Sequence, residues 1–304
     1  MLRYVFNKLL IALVAMFVLA TATFFLMRLV PGDPFAGPRV PIEVKERLRE
    51  QYGLDKPLVE QYFIYMGNLA RGDFGYSLAK RGHSVNTIIA DAFPVSLDLG
   101  MRAMLISMVF GLFFGVVAAL NRGKMLDYMS VVLVLVGISV PSFVLAGLLQ
   151  YYFGVHLKWL PVARYESFWH TLLPAFALSL GTMATIARYM RTSMLEIVNA
   201  DYVKTARAKG LNKRQIVWRH QLRNALFPIL TILGPAVASV LTGSFVVETI
   251  FAIPGLGRHF VLAMQNLDYT LVLGLTVFFG FFLIAMNFLV DVAYGLIDPR
   301  IGYA

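Results

Sequence analysis

The chain has 304 residues, of which 59% are hydrophobic and 14% charged, and a net charge of +10. That balance lies well to the apolar side of a soluble globular domain. No cysteine is present, which excludes disulfides, thiolate catalysis and cysteine-ligated metal. The basic surplus concentrates in loops between long apolar runs, the distribution of a membrane topology signal rather than of a nucleic-acid-binding face.

Taken in order, Arg3 and Lys8 precede an uncharged run at residues 9–27. A basic start, an apolar centre and Ala20-Thr21-Ala22 also fit a secretory signal with its cleavage site. The run continues through Phe24-Phe25-Leu26-Met27, which suits an uncleaved first span, residues 1–30, with its N-terminus in the cytoplasm. Residues 31–97 form a long polar region with eight basic and eight acidic residues. It opens on Pro31-Gly32-Asp33-Pro34, a turn-rich exit from the membrane. Amphipathic helices are expected at 42–52 and 57–69, as a small external helical cap on the outer face or, more plainly, as a solvated connector.

The second run, 103–120, carries Asp98 and Arg102 at its outer end, spaced to pair on one helix face at the interface. Asn121-Arg122-Gly123-Lys124 then makes a short basic turn. The third run, 128–155, contains Gly137, Pro141, Gly147 and Gly154, which require neighbouring helices to satisfy freed backbone groups. An external loop at 156–170 holds Trp159 and Trp169, residues suited to an interfacial belt. The fourth run, 171–187, contains Pro174 and Gly181 and ends at Arg188 and Arg191. The fifth, 226–247, is closed by Glu248, and an external segment at 252–268 leads to the sixth, 269–290. Asp291 and the tail at 297–300 return to the cytoplasm. The expectation is an all-α polytopic membrane protein with six transmembrane helices, both termini cytoplasmic, and a five-helix core at 98–300.

No GxxxxGK[ST], HExxH or GxSxG pattern occurs, so the sequence offers no phosphate loop, zinc-protease helix or serine nucleophile elbow. Gly255-Leu256-Gly257 has no preceding strand pattern and does not read as a dinucleotide loop. The apolar runs lack midplane charges of the kind ion-coupled carriers use; Glu248 and Asp291 sit only at run ends. These features describe a conduit without its own energy source.

The most informative polar interval is the loop at 191–226, with eight basic and two acidic residues. Tyr202, Val203 and Ala206 recur at helical spacing, with Lys204 and Arg207 off that stripe. Gly210 stops this helix in a left-handed cap, and Asn212 caps a second one. Trp218, Leu222, Ala225 and Leu226 form an apolar stripe along that second helix, 212–226. A helix, a glycine turn and a helix make a shape able to dock in a partner's groove; a basic helix lying on anionic lipid has a similar pattern.

This loop resembles the cytoplasmic coupling loop of ABC importer permeases, whose pattern is Glu-Ala-Ala, three residues, Gly, nine residues, Ile-x-Leu-Pro. Aligned on Gly210, Ala206 and Leu222 match, while Lys204, Thr205, His220 and Arg223 depart. Those departures resemble the peptide/nickel branch. So do RLVPGDPF at 28–35, GDFGYSL at 72–78, ETIFAIPGLG at 248–257, NLDYTLVLG at 266–274 and IDPR at 297–300. Together they are similar to the first, B-type, permease of oligopeptide and dipeptide systems. The resemblance implies a type I importer permease fold in the plasma (inner) membrane, embedded in lipid. It implies a second, homologous permease subunit, two ATP-binding subunits that hold ATP and Mg, and an extracytoplasmic peptide-binding protein. No cofactor is expected on this chain and no nucleic acid as partner. Thr205, Ala206, Lys209, Gly210, Leu211, Arg219 and Leu222 are then expected to couple to the ATPases. The sequence assigns no residue to substrate binding.

Overall fold

The computed structural model describes residues 2–29, 46, 53, 55–80, 82–241 and 245–297. The helix expected at 42–52, most of the 28–35 motif and the 298–300 end of the tail motif lie outside the described residues, as does the Asp291 side chain. Among the described residues the regular structure is helical: α1 (Leu2–Leu29), α2 (Leu58–Ala70), α3 (Val85–Leu120), α4 (Met125–Ser139) and α5 (Ser142–Leu149), the last extended by a π-helical turn at Gln150–His156. Then come α6 (Phe168–Ile197), α7 (Asp201–Ala208), α8 (Lys213–Ile216), a second π-helical turn (Val217–Gln221), α9 (Leu222–Ala225), α10 (Phe227–Leu241), α11 (Phe245–Ile250), α12 (Leu256–Gln265) and α13 (Tyr269–Ile297).

Four of these, α1, α3, α6 and α13, are long and apolar enough to cross a bilayer. The third run departs from a simple span. Val140 is extended, as a residue before proline tends to be, and the chain bends by 105° between α4 and α5. Counted as one broken span, this pair makes five. The run at 226–247 gives α10, whose 15 residues reach only about 22 Å at 1.5 Å per residue. Residues 242–244 before α11 lie outside the described set. A count of six spans is therefore an expectation that the described residues do not complete.

α3 starts well before the second apolar run and is continuous across positions 97 and 98, where a boundary was expected. Ser84 caps it by accepting from Thr87 N at 3.1 Å. α3 and α6 run side by side in the same direction and touch through small residues. A Cβ on Gly111 would stand 2.8 Å from the Met183 carbonyl, and one on Gly115 2.7 Å from that of Ala187. α4 returns against α6, with Gly137 equally close to the Leu180 carbonyl. Small residues let apolar helices approach where lipid gives no hydrophobic drive between them. One buried cluster joins α3 and α6 to α9, α10 and α11, and includes Leu99, Met190, Met194, Ala225 and Phe251. A second joins Val85, Leu256 and Leu275, where α3, α12 and α13 meet.

An open cavity of about 540 Å³ lies at the α4–α5 break. Pro141, Ser142, Thr182, Ser239 and Phe245 contribute to its walls.

Candidate coupling site

The basic loop folds as a small unit of its own. Val203 and Ala206 on α7 are buried against Ile216 of α8, with Leu211 packed at the edge. α7 ends in a two-bond turn: Leu211 N donates to the Ala206 carbonyl at 3.3 Å, and Gly210 N to that of Arg207 at 3.0 Å. These are the bonds of a Schellman motif, which needs a left-handed residue after the helix. Gly210 supplies it with φ of +80°. Asn212 then opens α8 with a reciprocal capping box. Its Oδ1 accepts from Gln215 N at 2.8 Å, and its own N donates to Gln215 Oε1 at 3.1 Å. Both turn signals expected at Gly210 and Asn212 are present.

The apolar stripes differ from expectation. Tyr202 is exposed, so α7 buries only Val203 and Ala206. The second helix is not regular over 212–226, because the π-helical turn at Val217–Gln221 interrupts it. One extra residue in a turn rotates everything beyond it by about 100°. Trp218 accordingly points outward at 63% exposure, and Gln221 takes the buried position at 3%. Gln221 Oε1 has no hydrogen-bond partner among the described residues. Leu222 and Leu226 pack partly, and Ala225 fully, against the main cluster.

The expected coupling residues therefore divide by environment. Thr205, Lys209, Gly210 and Arg219 are exposed, while Ala206 is buried and Leu211 and Leu222 half-buried. Thr205 Oγ1 donates back to the Asp201 carbonyl at 3.0 Å. Beyond its own chain neighbours, no described residue would come within 4 Å of a Cβ on Gly210, so the turn presents open backbone.

An ion pair absent from the sequence reading anchors the helix that enters this loop. Arg191, near the end of α6, grips Asp127 of α4 with Nε at 2.7 Å and Nη2 at 3.0 Å. Gly123 N donates to the same carboxylate at 3.0 Å. The available signal was one acid following the basic turn at 121–124.

At the far end, buried carboxylates join distant segments. In the sequence Glu248 stands at the edge of an apolar run; in the fold it is fully buried on α11. It accepts from Ser96 Oγ of α3 at 2.8 Å, Gly257 N at 2.8 Å and Arg258 N at 3.3 Å. Ser96 Oγ in turn accepts from Leu256 N at 2.9 Å. The segment at 252–268 is thus partly a core element, with Ile253 and Leu256 buried. Asp268 caps α13 by accepting from Leu271 N at 3.1 Å, and also accepts from Leu78 N, Ala79 N and the Ser77 hydroxyl. The GDFGYSL and NLDYTLVLG motifs are therefore two halves of one contact. Asp98 and Arg102 pair as expected at 2.8 Å, with the Tyr165 hydroxyl donating to Asp98. On α12, burial and the neighbouring Lys80 and Arg258 charges push the His259 imidazole below its ordinary range.

Comparison with known proteins gives these motifs a family. Residues 111–303 match the family described as binding-protein-dependent transport system inner membrane component, and residues 1–100 match its N-terminal companion. The dipeptide transport system permease protein DppB of Bacillus subtilis is 48% identical over 99% of this chain and 98% of its own length. The oligopeptide transport system permease protein OppB of Haemophilus influenzae is 44% identical over the whole of both chains. Among solved structures, the inward-facing methionine ABC transporter MetNI aligns with a TM-score of 0.52 at 19% identity, over 69% of this chain and 94% of that one. An amino acid ABC transporter gives the same score at 17% identity, over 71% and 94%. The structural likeness shows a shared fold, that of type I importer permeases. Matched along both its N-terminal and its main segment, this multi-pass membrane chain belongs to the family of inner-membrane components of binding-protein-dependent transport systems.

Proposed function

We propose that this chain is a permease subunit of an ATP-driven peptide importer, forming half of the translocation pathway. The observation that carries this reading is full-length identity of 44–48% to permeases of dipeptide and oligopeptide transport systems. In this reading a second, homologous permease completes the pathway, two ATP-binding subunits supply the energy, and an extracytoplasmic binding protein delivers peptide. The absence of a phosphate-loop pattern in the sequence supports ATP hydrolysis on the partners rather than here. The basic turn at 121–124, Arg188, Arg191 and the loop at 201–226 all belong to the end we assign to the cytoplasm. Both termini then lie on that side.

The ATPases dock on the exposed surface of α7 and its turn, where Thr205, Lys209, Gly210 and Arg219 stand outward. Ala206, Leu211 and Leu222 hold that surface in shape from within. Closure of the ATPases moves α7 as a rigid lever and switches the spans between inward- and outward-facing states. The cavity at the α4–α5 break is the part of this chain we assign to the pathway.

Reconstitution tests the reading. Vesicles holding this chain, its partner permease and both ATPases should accumulate a labelled peptide only with ATP and the binding protein present. Ion-gradient-driven peptide flux through this chain alone would overturn it in favour of a self-sufficient carrier.

A further inference from the structure

α2 presents an apolar face that no described residue covers. None of its 13 residues is buried. Phe63 is 67% exposed and Val59 65%, with Leu58 and Ile64 beside them. Residues 61–70 carry no charge, and the acid of the first turn, Glu60, is neutralised by Lys56 at 2.6 Å.

The depth of α2 identifies what covers this face. α2 rests on the side of α1 rather than over its end. The Tyr62 hydroxyl pairs with Thr21 Oγ1 at 2.8 Å, Tyr65 stacks on Phe24, and Tyr62 stacks on Phe25. These partners lie inside the apolar run of α1, which continues to Met27. At 1.5 Å per residue, Phe24 and Thr21 sit roughly 5 and 9 Å below Met27. That is the depth of about 5–10 Å at which amphipathic helices lie in a bilayer interface. The exposed surfaces are also continuous. Phe25 is itself 42% exposed, and through Tyr62 and Phe63 it joins the uncovered side of α1, including Phe17 and Leu26, to the open face of α2.

We infer that α2 is a half-immersed interfacial helix whose partner is the acyl region of the bilayer, not a cap standing in water or a docking surface for a soluble protein. A soluble partner would have to enter the apolar layer to reach Phe63. Because α2 has no basic residue, its seating draws on apolar burial and not on anionic headgroups.

Because this chain has no cysteine, each single-cysteine variant can be labelled at one known position before assembly. Val59→Cys, Phe63→Cys and Lys56→Cys variants of the full chain, assembled with its partner subunits in phosphatidylcholine vesicles, would carry a nitroxide. Collision with oxygen and with a water-soluble nickel chelate would then be compared. At 59 and 63, oxygen access should be high and chelate access about tenfold below that at 56, with no change when a quarter of the lipid is made anionic. High chelate access at 63 would overturn the inference. So would low access to both reagents, or protection appearing only when the binding protein is added, since either result means a protein occupant. The measurement does not depend on transport, so its failure would leave the permease reading standing.

Discussion

The two ends of the helix bundle are held together on different principles. The basic loop is organised by neighbours in sequence: a Schellman turn, a capping box and a three-residue core, all between Val203 and Ile216. The far end is organised by partners far apart in sequence. Ser77 and Asp268 are 191 positions apart, and Ser96 and Glu248 are 152. A locally closed unit can move as one body, because its internal bonds do not depend on the rest of the bundle. A carboxylate that gathers three donors from two segments resists movement, since opening it leaves buried polar groups unpaired. The contrast suits the proposed division of roles, in which the loop end takes up force from partner ATPases and the far end keeps the helices in register.

Substituting glycine by leucine at each end tests this contrast with one chemistry. Gly255→Leu should have the larger effect. Its Cβ would collide with Glu248 Oε2 and stand 2.5 Å from Ser96 Oγ. A loss of roughly 3 kcal/mol is expected, read as a lower melting temperature in detergent or as failure to accumulate in the membrane. Unchanged melting would mean that the buried carboxylate does not anchor this end. Glu248→Leu comes next, at about 2–3 kcal/mol, because Ser96 and two backbone N–H groups lose their acceptor. Gly210→Leu should cost only about 1–2 kcal/mol. The strain there is confined to φ of +80°, and the space around it is open. Smallest of all, Lys209→Ala and Arg219→Ala should leave stability within about 0.5 kcal/mol of the parent, since both side chains are exposed. A large melting shift for either would show that the loop is tied into the bundle more tightly than its local bonding indicates.

The same contrast explains what could be read from the sequence. Gly210 and Asn212 were legible because a cap is encoded by residues a few positions apart. α2 was legible, within a residue at each end, for the same reason. Glu248 and Asp268 were not, because their partners lie on other helices and no periodicity connects Ser96 to position 248. Gly255 and Gly257 stand in the sequence as part of the ETIFAIPGLG motif and as a dinucleotide-like pattern to be set aside, and neither reading assigns them a structural role. Their role is close approach, which leaves no local signature. Trp218 was misplaced for a different reason: the stripe assumed a regular 3.6-residue period, and the π-helical turn shifted its phase and buried Gln221 instead. The sharp bend at Pro141 was flagged by its proline, but a proline inside an apolar run does not state whether the helix kinks or turns aside by 105°.

Parallel assays of Gly210→Leu in the assembled transporter test the central claim most directly. Membrane insertion and assembly with the partner subunits would be verified first, and then peptide uptake and ATP hydrolysis would be measured in the same vesicles. The expected result is intact assembly and persisting ATP hydrolysis with peptide uptake reduced at least about tenfold, because a 1.4 kcal/mol change in coupling already gives that factor. Uptake at the parental rate per ATP hydrolysed would contradict a coupling role for this loop.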